Sequence, residues 1–524
     1  MRLLPPSPFR VSLKKIVASA IVSVIFLRYL IKHCLNRHTQ LKRAPGPFPF
    51  WPVVGNLPLL GKLPHHSLYQ LSKRYGDIME LKLGSVRTIV VSSPELAKEV
   101  LKEHDLVFAS RPDLVAAKLL FYGRDMAFSP YGEHWRHMRK VSTLELFTLK
   151  RLEASKHVRD EELSNLIRNL SNLQEGQPVN IQTSLANALM NVTTRLLFRK
   201  RYISTEHSDE DCQEFPALVK KVMILSGLFN ISDYVPYLKP FDLQGLTPQF
   251  KQTSSKMERL LDRIIQDRLK EKKTSDEPRD FLDVMLSLPG VEGASDRLDN
   301  MAIKGVVHNI LVAGADTIST TVEWALVELI RHPHIAKKAQ DELDDVVGHE
   351  RMADQHDITQ LKYLQAVVKE TFRLHPPAPL LLPHASLEAC QVAGYHVPAK
   401  TCIFVNVWAV HRNPSAYENP LDFIPERFVG SGIGMHGMDF QLLPFGSGRR
   451  MCPGINFGLL MVQITLAKLL HSFTWTLPGG ENPEDIDMGE VFGATTPKAI
   501  PLQAVATARL PLHLYATETL TQCS

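Results

Sequence analysis

A mainly α fold with small β-sheets (α+β) is predicted by three features of this 524-residue sequence. Proline-poor stretches with apolar residues at helical spacing recur along the body. β-like runs are few and short, at Thr88–Val91, Val392–Val397 and Cys402–Val405. The segment Arg297–Arg331 has no proline and is long for a globular helix. A hydrophobic content of 44% against 22% charged residues fits a chain able to bury a large core.

The order of elements begins with an apolar run. Ile16–Leu27 carries no charge, and Tyr29, Leu30 and Ile31 extend it past Arg28. Sixteen helical residues span about 24 Å against a hydrocarbon core of about 30 Å, and Lys14, Lys15, Arg28 and Lys32 can snorkel. A cleavable signal peptide is the rival reading, but no small-x-small site follows. Residues 1–43 are therefore expected to be a signal anchor, with residues 16–31 in the membrane and a basic flank. Residues 44–57 read as a proline-rich hinge, Ala44-Pro45-Gly46-Pro47-Phe48-Pro49 onward. The body is then 58–524. Nine of the 60 Lys/Arg lie in 1–43, which has no Asp or Glu, so the rest carries 51 basic against 55 acidic groups, a net of −4. A basic folded body, as nucleic-acid binding would want, is thereby excluded.

Within the body, helices are expected at Pro94–His104, Tyr131–Leu144, Leu149–Leu170, Ala217–Leu228, Gln249–Lys273, Arg297–Arg331, Pro333–Val347 and Leu361–Leu374. Six scattered cysteines argue against a disulfide framework, and no paired Cys or His spacing suggests zinc. No phosphate loop or Gly-x-Gly-x-x-Gly is present, so a redox enzyme on this chain would take electrons from a partner. The sequons at Asn169, Asn191 and Asn230 read as chance matches if the body is cytosolic.

Phe445-Gly446-Ser447-Gly448-Arg449-Arg450-Met451-Cys452-Pro453-Gly454 carries the most chemistry. Pro453 suits the first turn of a helix over Ile455–Leu470, which would put Cys452 at its N-cap, where unpaired N–H groups favour a thiolate. A buried structural cysteine is the bland alternative. The spaced glycines and Arg450 favour a loop against a flat anionic cofactor. In Ala313-Gly314-Ala315-Asp316-Thr317, small residues interrupt the long helix beside a carboxylate and a hydroxyl suited to proton relay. Thr317 back-bonded to the preceding turn, with Asp316 on a solvated face, is the alternative.

The Cys452 run matches Phe-x-x-Gly-x-Arg-x-Cys-x-Gly, and the chain resembles the cytochrome P-450 haem-thiolate monooxygenases, in particular land-plant microsomal (A-type) members. Asp316-Thr317 resembles their oxygen-activation motif, although Ile318 stands where many have a second hydroxyl. Glu370-Thr371-Phe372-Arg373 resembles their Glu-x-x-Arg, with Arg427 in Pro425-Glu426-Arg427-Phe428 as its partner. The resemblance implies the P-450 fold, with haem b between the long central helix and the helix after the cysteine. It implies Cys452 as axial thiolate and metal ligand, and Trp135, Arg139, His384 and Arg450 on the propionates. Asp316 and Thr317 would be catalytic; Glu370, Arg373 and Arg427 would be structural.

The implied reaction is O2-dependent hydroxylation of a lipophilic small molecule of plant specialised metabolism: phenylpropanoid or flavonoid, terpenoid or fatty acid. The implied partners are NADPH–cytochrome P-450 reductase, with Lys140 a docking candidate, and the endoplasmic reticulum membrane, with the catalytic domain cytosolic. Pocket candidates are Ala116, Leu120, Phe121, Asn309, Val312, Ala313, Leu380, Leu381 and Thr495. Asp283–Gly290 and Thr496–Ala499 resemble fatty-acid hydroxylases, whereas Phe229–Gly245 resembles flavonoid and phenolic-ester hydroxylases. A haem-dependent isomerase or dehydratase, or a haem sensor, are the other readings. The isomerases often lose the acid–alcohol pair kept here.

Overall fold

The proline-rich stretch is fastened to the body along part of its length. The Pro45 carbonyl accepts the Glu80 N–H at 2.8 Å, and Asn56 Nδ2 donates to the Phe48 carbonyl at 3.3 Å. A Cβ at Gly46 would stand 2.0 Å from the Glu80 carbonyl oxygen, so only glycine permits this approach. The computed structural model describes residues 41–49, 51–203, 210–270, 280–288 and 298–516, with side chains omitted for 210–213. The expected anchor at 16–31 lies outside the described residues.

The main helices are α1 (Pro64–Tyr75), α2 (Val115–Leu120), α3 (Glu133–Glu145), α4 (Lys156–Ser171), α5 (Ile181–Phe198), α6 (Glu210–Gly227), α7 (Leu246–Lys270), α8 (Phe281–Ser287), α9 (Asn300–Arg331), α10 (Pro333–Val347), α11 (Lys362–Leu374) and α12 (Ile455–Ser472). The strands are β1 (Ile78–Leu83), β2 (Val86–Val91), β3 (Val179–Asn180), β4 (His384–Ala385), β5 (Cys390–Val392), β6 (Tyr395–Val397), β7 (Cys402–Val405), β8 (Phe473–Thr476) and β9 (Gln503–Ala508). They form a four-stranded sheet β1-β2-β7-β4, a three-stranded sheet β3-β9-β8 and the hairpin β5-β6. In the first sheet β2 and β7 run parallel, with Thr88 opposite Cys402, and His384 pairs with Ile403.

Several predicted boundaries shift for local reasons. The expected helix Leu149–Leu170 breaks at Ser155, whose hydroxyl donates to the Leu152 carbonyl and ends the first turn set at Ala154. Val392–Val397 is two strands, because Ala393 (φ +49°) and Gly394 (φ +74°) turn the chain back. Asp299 starts α9 by accepting the Ala302 N–H at 2.7 Å. The body of α9 is apolar on nearly every side and lies inside the core against α5, α10, α11 and α12. α9 and α12 have the length and apolarity to cross a membrane, yet both are mostly buried in the protein.

Candidate active site

The cysteine loop is built by backbone bonds before any helix begins. Cys452 N–H donates to the Phe445 carbonyl at 2.9 Å, closing a tight turn over Gly448–Arg450. Helix α12 starts at Ile455 with Gly454 as its N-cap, so Cys452 stands two residues ahead of the N-cap. The expected N-cap placement is corrected; of the expected electrostatics one contact remains, the Gly454 N–H bonded to the thiol, and burial outweighs it. Burial pushes the Cys452 thiol up from its ordinary value, opposed by that N–H and by Arg139. Gly448 has φ +70°, and a Cβ there would stand 2.2 Å from the Leu101 carbonyl oxygen.

Cys452 lines a cavity of about 530 Å³ that runs from its loop to α9 and the C-terminal turn. At one end cationic side chains converge. Arg450 donates from Nε to the Ala109 carbonyl and from Nη2 to the Ser129 carbonyl, both at 2.6 Å, while its buried Nη1 has no partner. Arg139 makes no hydrogen bond or ion pair with any described residue. Arg111, absent from the sequence-based candidates, is pinned by the Ala127, Leu382 and Pro383 carbonyls beside them. Burial and the Arg139 guanidinium hold Arg450 down at about 10, with the Asp125 carboxylate opposing them. Three guanidinium groups with one carboxylate, Asp125, beside them leave a cationic excess that fits a dianionic cofactor edge, and with the thiol and Gly446 it fits a haem.

Two expected propionate contacts are arranged differently. The Trp135 indole N–H donates to the Met126 carbonyl at 3.0 Å, so it has no second hydrogen to offer a carboxylate. Its ring lies 4.2 Å under the Arg450 guanidinium and orients that group. His384 Nδ1 donates to the Phe108 carbonyl at 2.8 Å, which makes Nε2 the lone-pair nitrogen of the neutral ring. Burial and Arg111 hold this imidazole down at about 3.

Opposite the cysteine, Ala313, Gly314 and Thr317 line the cavity. A Cβ on Gly314 would approach Thr193 Oγ1 to 3.1 Å, so this glycine also serves the packing of α9 on α5. Thr317 Oγ1 donates to the Ala313 carbonyl at 2.7 Å, the back-bonded arrangement left open by the sequence. Asp316 is not on a solvated face: its Oδ2 accepts the Thr495 hydroxyl at 2.5 Å, and burial raises its pKa.

Phe121, Asn309, Val312, Leu381 and Thr495 line the cavity as expected from the sequence. Leu380 does not; it packs with Leu60, Leu68 and Leu83 under the first sheet. Ala116 and Leu120 are likewise buried away from the lining. Phe128, Met223 and Ala494 line it without having been singled out. Phe128 stacks on Phe121 at 5.4 Å, a contact across a loop that carries no periodic signal. The turn bearing Ala494 and Thr495 is held at its base by Glu490, whose Oε1 meets His65 Nε2 at 2.6 Å and His66 Nε2 at 2.8 Å.

Behind the cysteine loop, Arg373 and Glu370 form a two-pronged pair at 2.7 Å with neither side chain exposed. Arg427 Nε reaches the same carboxylate at 3.0 Å, and the Ile424 N–H donates to it at 2.8 Å. Arg373 also donates to the His411, Pro420 and Asp422 carbonyls. His411 Nε2 accepts the Leu443 N–H at 2.8 Å, carrying this brace to the segment that leads into the cysteine loop.

Comparison with known proteins gives one answer. The family model described as cytochrome P450 matches residues 45–502. A protein of Panax ginseng named Cytochrome P450 CYP736A12 is 43% identical over 484 residues, covering 91% of this chain and 95% of its own. The flavonoid 3'-monooxygenase of Arabidopsis thaliana is 41% identical over 504 residues, covering 94% and 97%. A zebra fish cytochrome P450 structure with progesterone superposes with a TM-score of 0.72 at 28% identity, covering 85% of this chain and 99% of that one.

Proposed function

The chain belongs to the cytochrome P450 family and is a haem-thiolate monooxygenase; from that premise we propose that it hydroxylates a flat, lipophilic phenolic of the flavonoid type. When bound, the haem supplies O2 activation, with one oxygen atom entering the substrate and the other leaving as water. The proposed roles of the chain's own residues follow from their surroundings. Cys452 is the ligand, Arg139 and Arg450 hold the haem carboxylates, and Trp135 fixes Arg450. His384 frames the same edge. Asp316 and Thr317 deliver protons, which requires the Thr317 hydroxyl to turn away from the Ala313 carbonyl.

One observation carries the choice of substrate class. Asp233, within the segment that resembles flavonoid hydroxylases, accepts the Val115 N–H at 2.8 Å and so seats α2, whose C-cap is Phe121. The stacked Phe121 and Phe128 rings give the cavity an aromatic wall suited to a planar ring system. Of the segments that resemble fatty-acid hydroxylases, the first brings Val284 to the same cavity, while Thr496 and Lys498 of the second stand off its lining. Thr496 donates to the Pro376 and Pro377 carbonyls, and Lys498 lies over the Trp324 ring.

In this reading residues 1–43 anchor the protein in the endoplasmic reticulum membrane. Support comes from exposed Phe48, Trp51, Tyr237, Phe241 and Leu243, two segments joined where the Tyr237 hydroxyl donates to the Val53 carbonyl at 3.4 Å. Electrons come from NADPH–cytochrome P-450 reductase, docked near exposed Lys140 on the helix that carries Trp135 and Arg139. The deciding experiment is turnover of recombinant microsomes on flavonoid, terpenoid and fatty-acid panels under labelled O2. A single labelled oxygen in a flavonoid product is expected. Products from the other panels alone would overturn the substrate assignment.

A further inference from the structure

Asn309 lies on α9 one turn before Ala313 and faces the cavity. Its side-chain oxygen accepts two backbone N–H groups, from Met126 at 2.8 Å and from Ala127 at 3.0 Å. An amide nitrogen cannot accept either bond, so the two donors fix which end of the amide is which. The carbonyl end is locked onto the loop below Phe128, and Nδ2 is left with two hydrogens and no partner among the described residues.

The hydroxyls around it are in the opposite condition. Thr193 donates to the Leu189 carbonyl, Ser226 to Met223, Thr317 to Ala313, and Thr321 to the Thr317 carbonyl. Thr495 donates to Asp316. In this arrangement each has committed its single hydrogen to the protein and, unless it turns as Thr317 does in proton delivery, accepts from a substrate. Among the described α9 residues that line the cavity, Asn309 Nδ2 is therefore the side-chain donor not already committed; His308 and Thr320, also without partners, lie off the lining. Its neighbours Val312, Ala313 and Phe121 are apolar, so a ligand that covers Nδ2 without accepting its hydrogen leaves a buried donor unpaired.

We propose that Asn309 Nδ2 is a specificity-determining donor that orients the substrate by an acceptor oxygen, such as a ring ketone, ether or phenol oxygen. The enzyme thus selects oxygenated lipophilic rings over hydrocarbons of the same shape. This inference rests on the hydroxylase reading above and adds the functional group that the substrate must carry. It does not require that the ring system be a flavonoid.

The test is spectral titration of the haem-loaded, full-length protein with matched pairs differing by one carbonyl oxygen. The pairs are flavanone and flavan, menthone and p-menthane, and 4-(imidazol-1-yl)acetophenone and 1-(4-ethylphenyl)imidazole. The imidazoles bind through the iron, so binding is readable even if neither other scaffold fits. The key variant is Asn309→Asp, which keeps an oxygen for Met126 and Ala127 but replaces the free donor with an acceptor. The wild type is expected to bind the ketone tighter by about tenfold in at least one pair, the scale of an unpaired buried donor. Asn309→Asp is expected to lose that preference while its melting temperature stays near that of the wild type. Equal binding within all three pairs, or a ketone preference that persists in Asn309→Asp, would overturn the proposal. Should Asn309→Asp unfold, Asn309→Ser, a shorter side chain with one hydroxyl, is measured against the same criterion. A preference confined to menthone or the imidazoles leaves Asn309 standing and removes the flavonoid assignment instead.

Discussion

Thr495 donates its hydroxyl hydrogen to Asp316 at 2.5 Å, joining the C-terminal turn to the middle of α9. The bond keeps a buried carboxylate partnered next to Thr317, and Lys220 is the other group that favours its charged form. Thr495→Val removes the donor and leaves burial to raise the Asp316 pKa further. Proton delivery should then fall out of step with electron delivery. The expected result is a severalfold lower ratio of product formed to NADPH consumed, with more peroxide released and ligand affinity little changed. Unchanged coupling would show that Thr495 serves the pocket wall alone.

Arg139 and Arg450 stand together but are held differently, which separates two effects of removing them. Arg139 has no hydrogen-bond or ion-pair partner among the described residues, so Arg139→Met should weaken haem retention severalfold and leave apoprotein stability near its starting value. Arg450 also ties the Ala109 and Ser129 carbonyls. Arg450→Met should lose haem and in addition cost about 1–3 kcal/mol for unpaired buried groups. Haem content by absorbance and thermal melting of the apoprotein measure the two separately. Equal melting temperatures for the two variants would refute the distinction.

Glu370 is surrounded by Arg373, Arg427 and the Ile424 N–H with no exposure to water. Glu370→Ala leaves the Arg373 guanidinium buried with its counter-ion gone, a loss of about 3–5 kcal/mol. Little soluble holoprotein is expected, because His411 links this brace to the chain entering the cysteine loop. Glu370→Gln keeps the shape and should recover part of the yield. Near-normal folding and haem content in Glu370→Ala would rule out the brace.

What the sequence made legible follows from which constraints are local. The cysteine run, the pair Glu370 and Arg373, and helices such as Pro333–Val347 depend on neighbours three or four positions away, and each was readable. Helix α5 was not anticipated. It is buried between α4 and α9, and its apolar residues mixed with Asn191, Thr193 and Thr194 show no one-sided stripe. The adjacent leucines 380 and 381 show the same limit in the site. Leu381 takes φ +54° and its side chain lines the cavity, while Leu380 packs under the sheet. Nothing in two leucines side by side says which of them a left-handed backbone will aim at the ligand. A three-residue sequon likewise says nothing of burial: Asn191 and Asn230 are buried and hydrogen-bonded.

Glu323 predicts a pH dependence of stability with a definite sign. It lies buried on α9, with Oε1 accepting the Leu502 N–H at 2.8 Å and Oε2 without a partner among the described residues. Burial pushes its carboxyl up to about 7, with Lys498 opposing and Asp316 reinforcing the shift. The folded state therefore binds this proton more tightly than the unfolded chain, whose Glu titrates near 4.3. Its contribution is fully present below the unfolded value and is lost as pH rises through about 7, by up to about 4 kcal/mol. Glu323→Gln keeps an oxygen for Leu502 and removes the titration. Between pH 5.5 and 8.5 the wild type should lose melting temperature relative to Glu323→Gln, and other titrating groups cancel in that comparison. Two parallel curves across this range would mean that Glu323 remains ionised in the folded protein, stabilised by Lys498 more strongly than burial destabilises it.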